Sequence, residues 1–168
     1  MTLFMVDSWE GDGGSYVEPS GDLKVTIGQA RMNACFEHAK TQTDFACNRR
    51  NIPRMKTHED AQQISDQSLD FCFIDADHSY EGCRTDIKNY LRKVKQGSWL
   101  SGHDYNHSKY PEFGVKRAVD EFVNASSLQL ELGGNYTWFV NSMKQCVLVM
   151  RSGKARPIPK ALRQGGCL

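Results

Sequence analysis

Two short peptides carry the residue types that could do chemistry: Asp75-Ala76-Asp77-His78 and Gly102-His103-Asp104-Tyr105. Each follows a compact apolar run, Leu69–Ile74 and Ser98–Ser101, too short for a helix and bounded as a strand is. In open α/β sheets, ligands bind beyond the carboxyl ends of the strands. If the two runs are neighbouring strands, Asp75, His103 and Asp104 converge on one point. Two carboxylates and an imidazole, completed by water, suit an octahedral hard cation such as Mg²⁺, Mn²⁺ or Fe²⁺. His78 lies three residues beyond Asp75, on the turn into the next helix, near such an ion without having to coordinate it. Imidazole titrates near neutral pH, which suits that position to a general base. Plainer roles are open to the same residues. Asp77 can cap the following helix together with Ser79, and a loop histidine can be simple surface.

A third acid, Asp7, ends another apolar run, Thr2–Val6. An acid at that place in nucleotide-binding α/β folds accepts hydrogen bonds from ribose hydroxyls. Trp9 and Gly11 beside it could pack against a flat ring, or could be ordinary loop residues.

The elements that must position these groups alternate in type. Residues 2–6 read as a short buried strand, and 8–22 as a loop rich in Gly, Ser, Pro and acids. A helix is expected over 23–40, a short strand near Pro53–Lys56, and a short helix from His58 through Ile64. After the 69–74 strand, Ser79 caps a helix whose stripe is Tyr80, Cys83, Ile87, Tyr90, Leu91 and Val94, ended by Gly97. After the 98–101 strand and a loop from Gly102 to Phe113, the stripe Val115, Ala118, Val119, Phe122 and Val123 predicts another helix. Trp138–Val140 and Gln145–Met150 predict two closing strands, joined as an antiparallel hairpin at one edge. Strands separated by helices imply an α/β fold with a mostly parallel sheet and helices on both faces. Residues 1–150 form one domain, and the basic, Pro- and Gly-rich 151–168 reads as a tail.

Composition narrows the partners. The chain has 168 residues, with 21 Lys and Arg against 20 Asp and Glu, a net charge of +1. That balance argues against a nucleic-acid partner. No apolar run approaches the roughly 20 residues of a membrane span, so no membrane partner is expected. The opening MTLFMVDSWEGDGG has no basic lead and does not read as a secretory signal. Cys35, Cys47, Cys72, Cys83, Cys146 and Cys167 form no C-x-x-C pair. They read as reduced thiols in a cytoplasmic protein rather than as a disulfide or zinc framework.

The run Leu69–Gly82 (LDFCFIDADHSYEG), then Asp86-Ile87, Gly97, Gly102-His103-Asp104-Tyr105 and Gly114–Val119, resembles the class I S-adenosylmethionine-dependent methyltransferases. The similar branch carries the motifs I-D-x-D-H-x-Y and G-H-D-Y and lies near the macrolide-sugar O-methyltransferases. The likeness covers roughly residues 3–140. It implies a Rossmann-like fold, S-adenosylmethionine as cofactor, and a small-molecule acceptor whose methylated group is a hydroxyl, a sugar hydroxyl being the family-level guess. By the resemblance, Asp75 is the metal-binding acid after the fourth strand, and His103 and Asp104 are the ligand pair after the fifth, for Mg or Mn. His78 falls at the position of the base. Asp7 matches the ribose-binding acid, with Trp9 beside it. His58 and Glu59, with Asp60, lie where the chain meets the adenine, and Asp75 also borders the cofactor.

The sequence departs from that family in two ways. A His stands at position 103, where relatives have Asp, Glu or Asn. No G-x-G-x-x-G or E-x-G-x-x-x-G turn precedes Asp7, so the first βα unit of the fold is expected to be missing. The resemblance places that first strand between the second and the fourth. Its loss predicts either direct pairing of the flanking strands or a homo-oligomer that covers the exposed edge. Two other functions remain open: a non-catalytic fragment that oligomerises and binds cofactor weakly or not at all, and a metal-dependent hydrolase using Asp75, His78, His103 and Asp104.

Overall fold

In chain order the elements are β1 (Leu3–Phe4), β2 (Tyr16–Val17), β3 (Leu23–Lys24), α1 (Gln29–Gln42), a 3₁₀ turn (Asp44–Arg49), β4 (Arg50–Asn51), α2 (Thr57–Gln63), β5 (Leu69–Ile74), α3 (Tyr80–Leu91), β6 (Val94–Gly102), α4 (Val115–Ser126), β7 (Leu130–Leu132) and β8 (Trp138–Asn141). This computed structural model describes residues 1–11, 16–17, 23–24, 28–126 and 128–142.

The architecture is the mixed α/β, Rossmann-like one expected. Its main sheet has the order β5-β6-β8-β7. β5 and β6 run parallel, with Phe71 opposite Trp99 and Ile74 opposite Gly102. β8 is antiparallel to both β6 and β7. Alternation along β5 sends Cys72 and Ile74 inward, while Phe71 and Phe73 stay exposed. The inward side chains meet the stripes of α3 (Cys83, Ile87, Tyr90) and α4 (Val115, Ala118, Val119). Trp138, Leu100 and Val140 close the core from the β6–β8 pair, all fully buried. At roughly 1.5–3 kcal/mol for each large apolar side chain, this cluster supplies the main cohesion of the sheet and its two helices.

β1 pairs in parallel with β4 and continues to an Asp7–Arg54 bridge. Among the described residues this unit does not pair with β5; β1–β4 and the β5-containing sheet are separate. Several elements begin or end away from the expected places. The helix of 23–40 starts only at Gln29, because Leu23 and Lys24 pair with Val17 and Tyr16. The helix after Ser79 stops at Leu91, because Val94 pairs with Leu69 as the first residue of β6. Gly97 lies inside that strand at φ 83°, where the register shifts between Leu69 and Phe71. The closing hairpin is made by β7 and β8; Gln145–Met150 lies outside the described residues.

Candidate functional site

The parallel register of β5 and β6 sets the site. Ile74 opposite Gly102 puts the residues that follow each strand on one rim of the sheet. His103 N–H donates to the Ile74 carbonyl at 3.1 Å, which ties the two loops together at their roots. The Trp138 indole N–H donates to the His103 carbonyl at 3.2 Å and fixes the second loop from the β8 side.

On this rim Asp104 is a hub. It is buried, 7% exposed, on a left-handed backbone at φ 61°, a conformation Asp tolerates better than most residues. Its Oδ2 lies 2.9 Å from His78 Nε2. Its Oδ1 lies 3.2 Å from His103 Nδ1 and 3.9 Å from His107 Nε2. His78 Nε2 is also 3.5 Å from Asp75 Oδ1. The hydrogen bond from His78 holds the Asp75 carboxyl below its ordinary range, helped by the charges of His78 and His103 and opposed by burial.

Asp75, His78 and Asp104 each offer one ligand atom, and these atoms lie within 4.8 Å of one another. The donor set, two carboxylates and an imidazole, fits a hard divalent cation. His103 reaches Asp104 but is not part of this three-residue cluster. The structure therefore brings Asp75 and Asp104 together with His78 as the third donor, and sets His103 one step away.

Ring stacking orients the histidines. His78 lies flat on Phe113, centroids 4.5 Å apart and planes 9° apart. His107 packs on Tyr136 and Tyr110 at 4.2 and 4.9 Å. Asn135 and Tyr136 both have positive φ, 54° and 59°. Such strain clusters at functional sites, and it brings the β7–β8 loop over His103 and His107. The sequence reading missed His107, Phe113 and Tyr136. The available signal was the four-residue spacing from His103 to His107 in the loop after β6.

The turn that carries His78 is locked locally. Asp77 Oδ1 accepts from Ser79 N–H at 2.8 Å, and Ser79 Oγ accepts from Gly82 N–H at 3.1 Å, so Asp77 and Ser79 do shape the helix start. Gly114 N–H donates to the His78 carbonyl at 2.8 Å. A Cβ at Gly114 would collide with the Tyr80 backbone nitrogen and Cα. Gly114→Ala should therefore lower stability by about 1–3 kcal/mol through overpacking, read as a fall in the thermal unfolding midpoint, whereas a midpoint unchanged from wild type would contradict this packing.

The other candidates lie toward the β1–β4 side. Asp7 is exposed, and its Oδ1 accepts from Trp9 N–H at 2.7 Å, which holds the carboxylate at the strand end. Trp9 meets Phe36 of α1 edge to face at 5.3 Å. Glu59 accepts from Lys56 N–H and so closes the start of α2, while His58 is exposed. Asp60 is buried and accepts from the Tyr90 hydroxyl at 3.1 Å, and burial raises its carboxyl above the usual range. Burial likewise pushes the Cys72 and Cys83 thiols up to about 12, which makes them inert packing residues. No helix among the described residues is long and apolar enough to cross a membrane.

Residues 1–105 match the family described as methyltransferase domain. Among solved structures, the chain is similar to the O-methyltransferase NovP, at 16% identity and a TM-score of 0.59 over 84% of this chain and 60% of that one. It is similar to the cofactor-bound Rv0187 from MTB at 11% identity and TM-score 0.57, over 86% and 62%. A protein from Corynebacterium glutamicum matches at 10% identity and TM-score 0.54, again over 86% and 62%. At these identities the likeness is one of fold, and the chain spans about three fifths of the length of these structures. No curated protein matches the sequence.

Proposed function

The chain belongs to the methyltransferase-domain family, and from that premise we propose that it is an S-adenosylmethionine-dependent O-methyltransferase acting on a small-molecule hydroxyl, a sugar hydroxyl being the class its motifs resemble. One observation carries the reading toward a hydroxyl acceptor. An imidazole nitrogen, His78 Nε2, stands between two carboxylates at the carboxyl ends of adjacent parallel strands. A hydroxyl is a poor nucleophile until its proton is removed, and this arrangement is suited to removing it.

S-adenosylmethionine, when bound, supplies a methyl group made electrophilic by its sulfonium. Asp7, Trp9, His58, Glu59 and Asp75 are the residues assigned to hold it. A divalent cation, Mg²⁺ or Mn²⁺, would be held by Asp75 and Asp104, with the His78 imidazole within reach and His103 one step away, and would make an acceptor hydroxyl more acidic. The His78 imidazole, paired through Nε2 with Asp75 and Asp104, is the group assigned to take the acceptor proton. Asp104 and Asp75 stabilise the imidazolium that results, since opposite charges within about 4–6 Å favour the charged form. Phe113 fixes the ring plane. His103, His107, Tyr110 and Tyr136 form the wall against which an acceptor ring would lie, and holding two reactants in line supplies much of the rate.

Calorimetric titration of the whole chain with S-adenosylmethionine tests the reading. Saturable heat is expected, followed by release of S-adenosylhomocysteine when an acceptor is added. No saturable heat would overturn the proposal and leave a non-catalytic member of the family.

A further inference from the structure

Two ion pairs of i, i+4 spacing lie side by side on α4: Lys116 with Asp120, and Arg117 with Glu121. They start one residue apart, so they point about 100° from each other around the helix. Each carboxylate holds a second partner from elsewhere in the chain. The Tyr105 hydroxyl donates to Asp120 Oδ1 at 2.8 Å, and the Tyr80 hydroxyl donates to Glu121 Oε2. Each cation also lies over the ring of the same tyrosine, Lys116 over Tyr105 at 5.4 Å and Arg117 over Tyr80 at 4.0 Å. One clamp is thus built twice: an acid takes the tyrosine's hydroxyl and a cation covers its face. Tyr80 comes two residues after His78, and Tyr105 directly follows Asp104. α4 therefore grips both of the peptides that meet in the 2.9 Å contact between His78 Nε2 and Asp104 Oδ2.

Cohesion does not explain this arrangement. Val115, Ala118 and Val119 already pack α4 against the core. The charged side chains of the clamps are 34–67% exposed, and exposed ion pairs add little to stability. What the clamps fix is position. The two site peptides are tied at their roots by the His103 N–H on the Ile74 carbonyl. His78 and Asp104 lie beyond that tie, and Asp104 stands on left-handed backbone at φ 61°. A helix that holds both tyrosines, and whose Gly114 N–H also holds the His78 carbonyl, keeps the two loops in one register. Misplacing a reacting group by about 1 Å through a change far from the chemistry costs about 10²-fold in rate. Resting on the reading of His78 as the acceptor's base, we propose that Tyr80 and Tyr105 are positioning residues, held by Glu121 with Arg117 and by Asp120 with Lys116, through which α4 sets the contact between His78 and Asp104.

Histidine-ring NMR of the full chain, labelled with nitrogen-15 and held near neutral pH with no cofactor or cation added, tests it. One proton lies between His78 Nε2 and Asp104 Oδ2, because an ionised carboxylate can only accept. It should give a downfield imidazole resonance, assigned by its absence in His78→Gln. The resonance is expected in the wild type and should be lost to exchange with water in Tyr80→Phe and in Tyr105→Phe. Each unfolding midpoint should stay within about 4 °C of wild type, since only exposed polar contacts are removed. Glu121→Gln and Asp120→Asn still accept from the tyrosine hydroxyls and should keep the resonance, whereas Glu121→Ala and Asp120→Ala should lose it. A wild type without the resonance, a resonance that persists in either Phe variant, its loss in the Gln and Asn variants, or a loss that comes only with a collapse of the unfolding midpoint would each overturn the proposal. The spectrum is recorded without S-adenosylmethionine, so its outcome is separate from the calorimetric titration that decides the methyltransferase reading.

Discussion

Replacing His78 with glutamine is expected to lower turnover by about 10²–10⁴-fold, the range a positioned general base contributes, while S-adenosylmethionine binding by calorimetry stays within a factor of about two. Glutamine keeps the length and a polar end but cannot accept and return a proton near neutral pH. The His78 ring touches Asp104, Asp75 and Phe113, on the acceptor side of the proposed reaction. The loss should therefore fall on kcat more than on cofactor affinity. A metal titration separates this role from a second one open to the same imidazole. As a base, His78 can be removed and cation affinity persists; as a ligand, its removal weakens the cation as well. Unchanged turnover in His78→Gln would take the residue out of the mechanism.

The parts of this site that could be read from sequence are those fixed by chain direction. An apolar run ending in an acid marks a strand and its rim, so Asp75 and Asp104 were legible. The parallel pairing of Ile74 with Gly102 then brings them together. What was not legible depends on contacts between distant residues. Val94 continues the helical stripe of α3 perfectly well, but Leu69 captures it for β6. Leu23 fits a helix until it pairs with Val17. β7 is only Leu130-Glu131-Leu132, too short to stand out as a strand although Gly133-Gly134-Asn135 marks a turn after it, so its pairing with β8 showed only in three dimensions. His107 enters the cluster because Asp104 and Asn106 both adopt left-handed backbone, at φ 61° and 57°, which no periodicity argument anticipates. The same holds for Asp60 and Asp86. They look like helix-surface acids, yet Asp60 receives the Tyr90 hydroxyl and Asp86 the Thr57 hydroxyl in a buried setting.

Asp104→Asn should be as damaging as His78→Gln, and the two together should be no worse than either alone. Asparagine preserves the shape of Asp104 and tolerates the left-handed backbone, so the fold should survive, shown by an unfolding midpoint close to wild type. What disappears is a buried negative charge within 3.2 Å of two imidazoles. Without it the imidazolium at His78 loses its nearest counter-charge, and a cation loses one of two carboxylates. Turnover should fall by about 10²–10⁴-fold, the full worth of the base. If His78 and Asp104 act as one unit, the double variant adds nothing further, as strongly coupled catalytic groups do. If the losses instead multiply, the 2.9 Å contact between them is a packing arrangement, and the proton leaves the acceptor by another route.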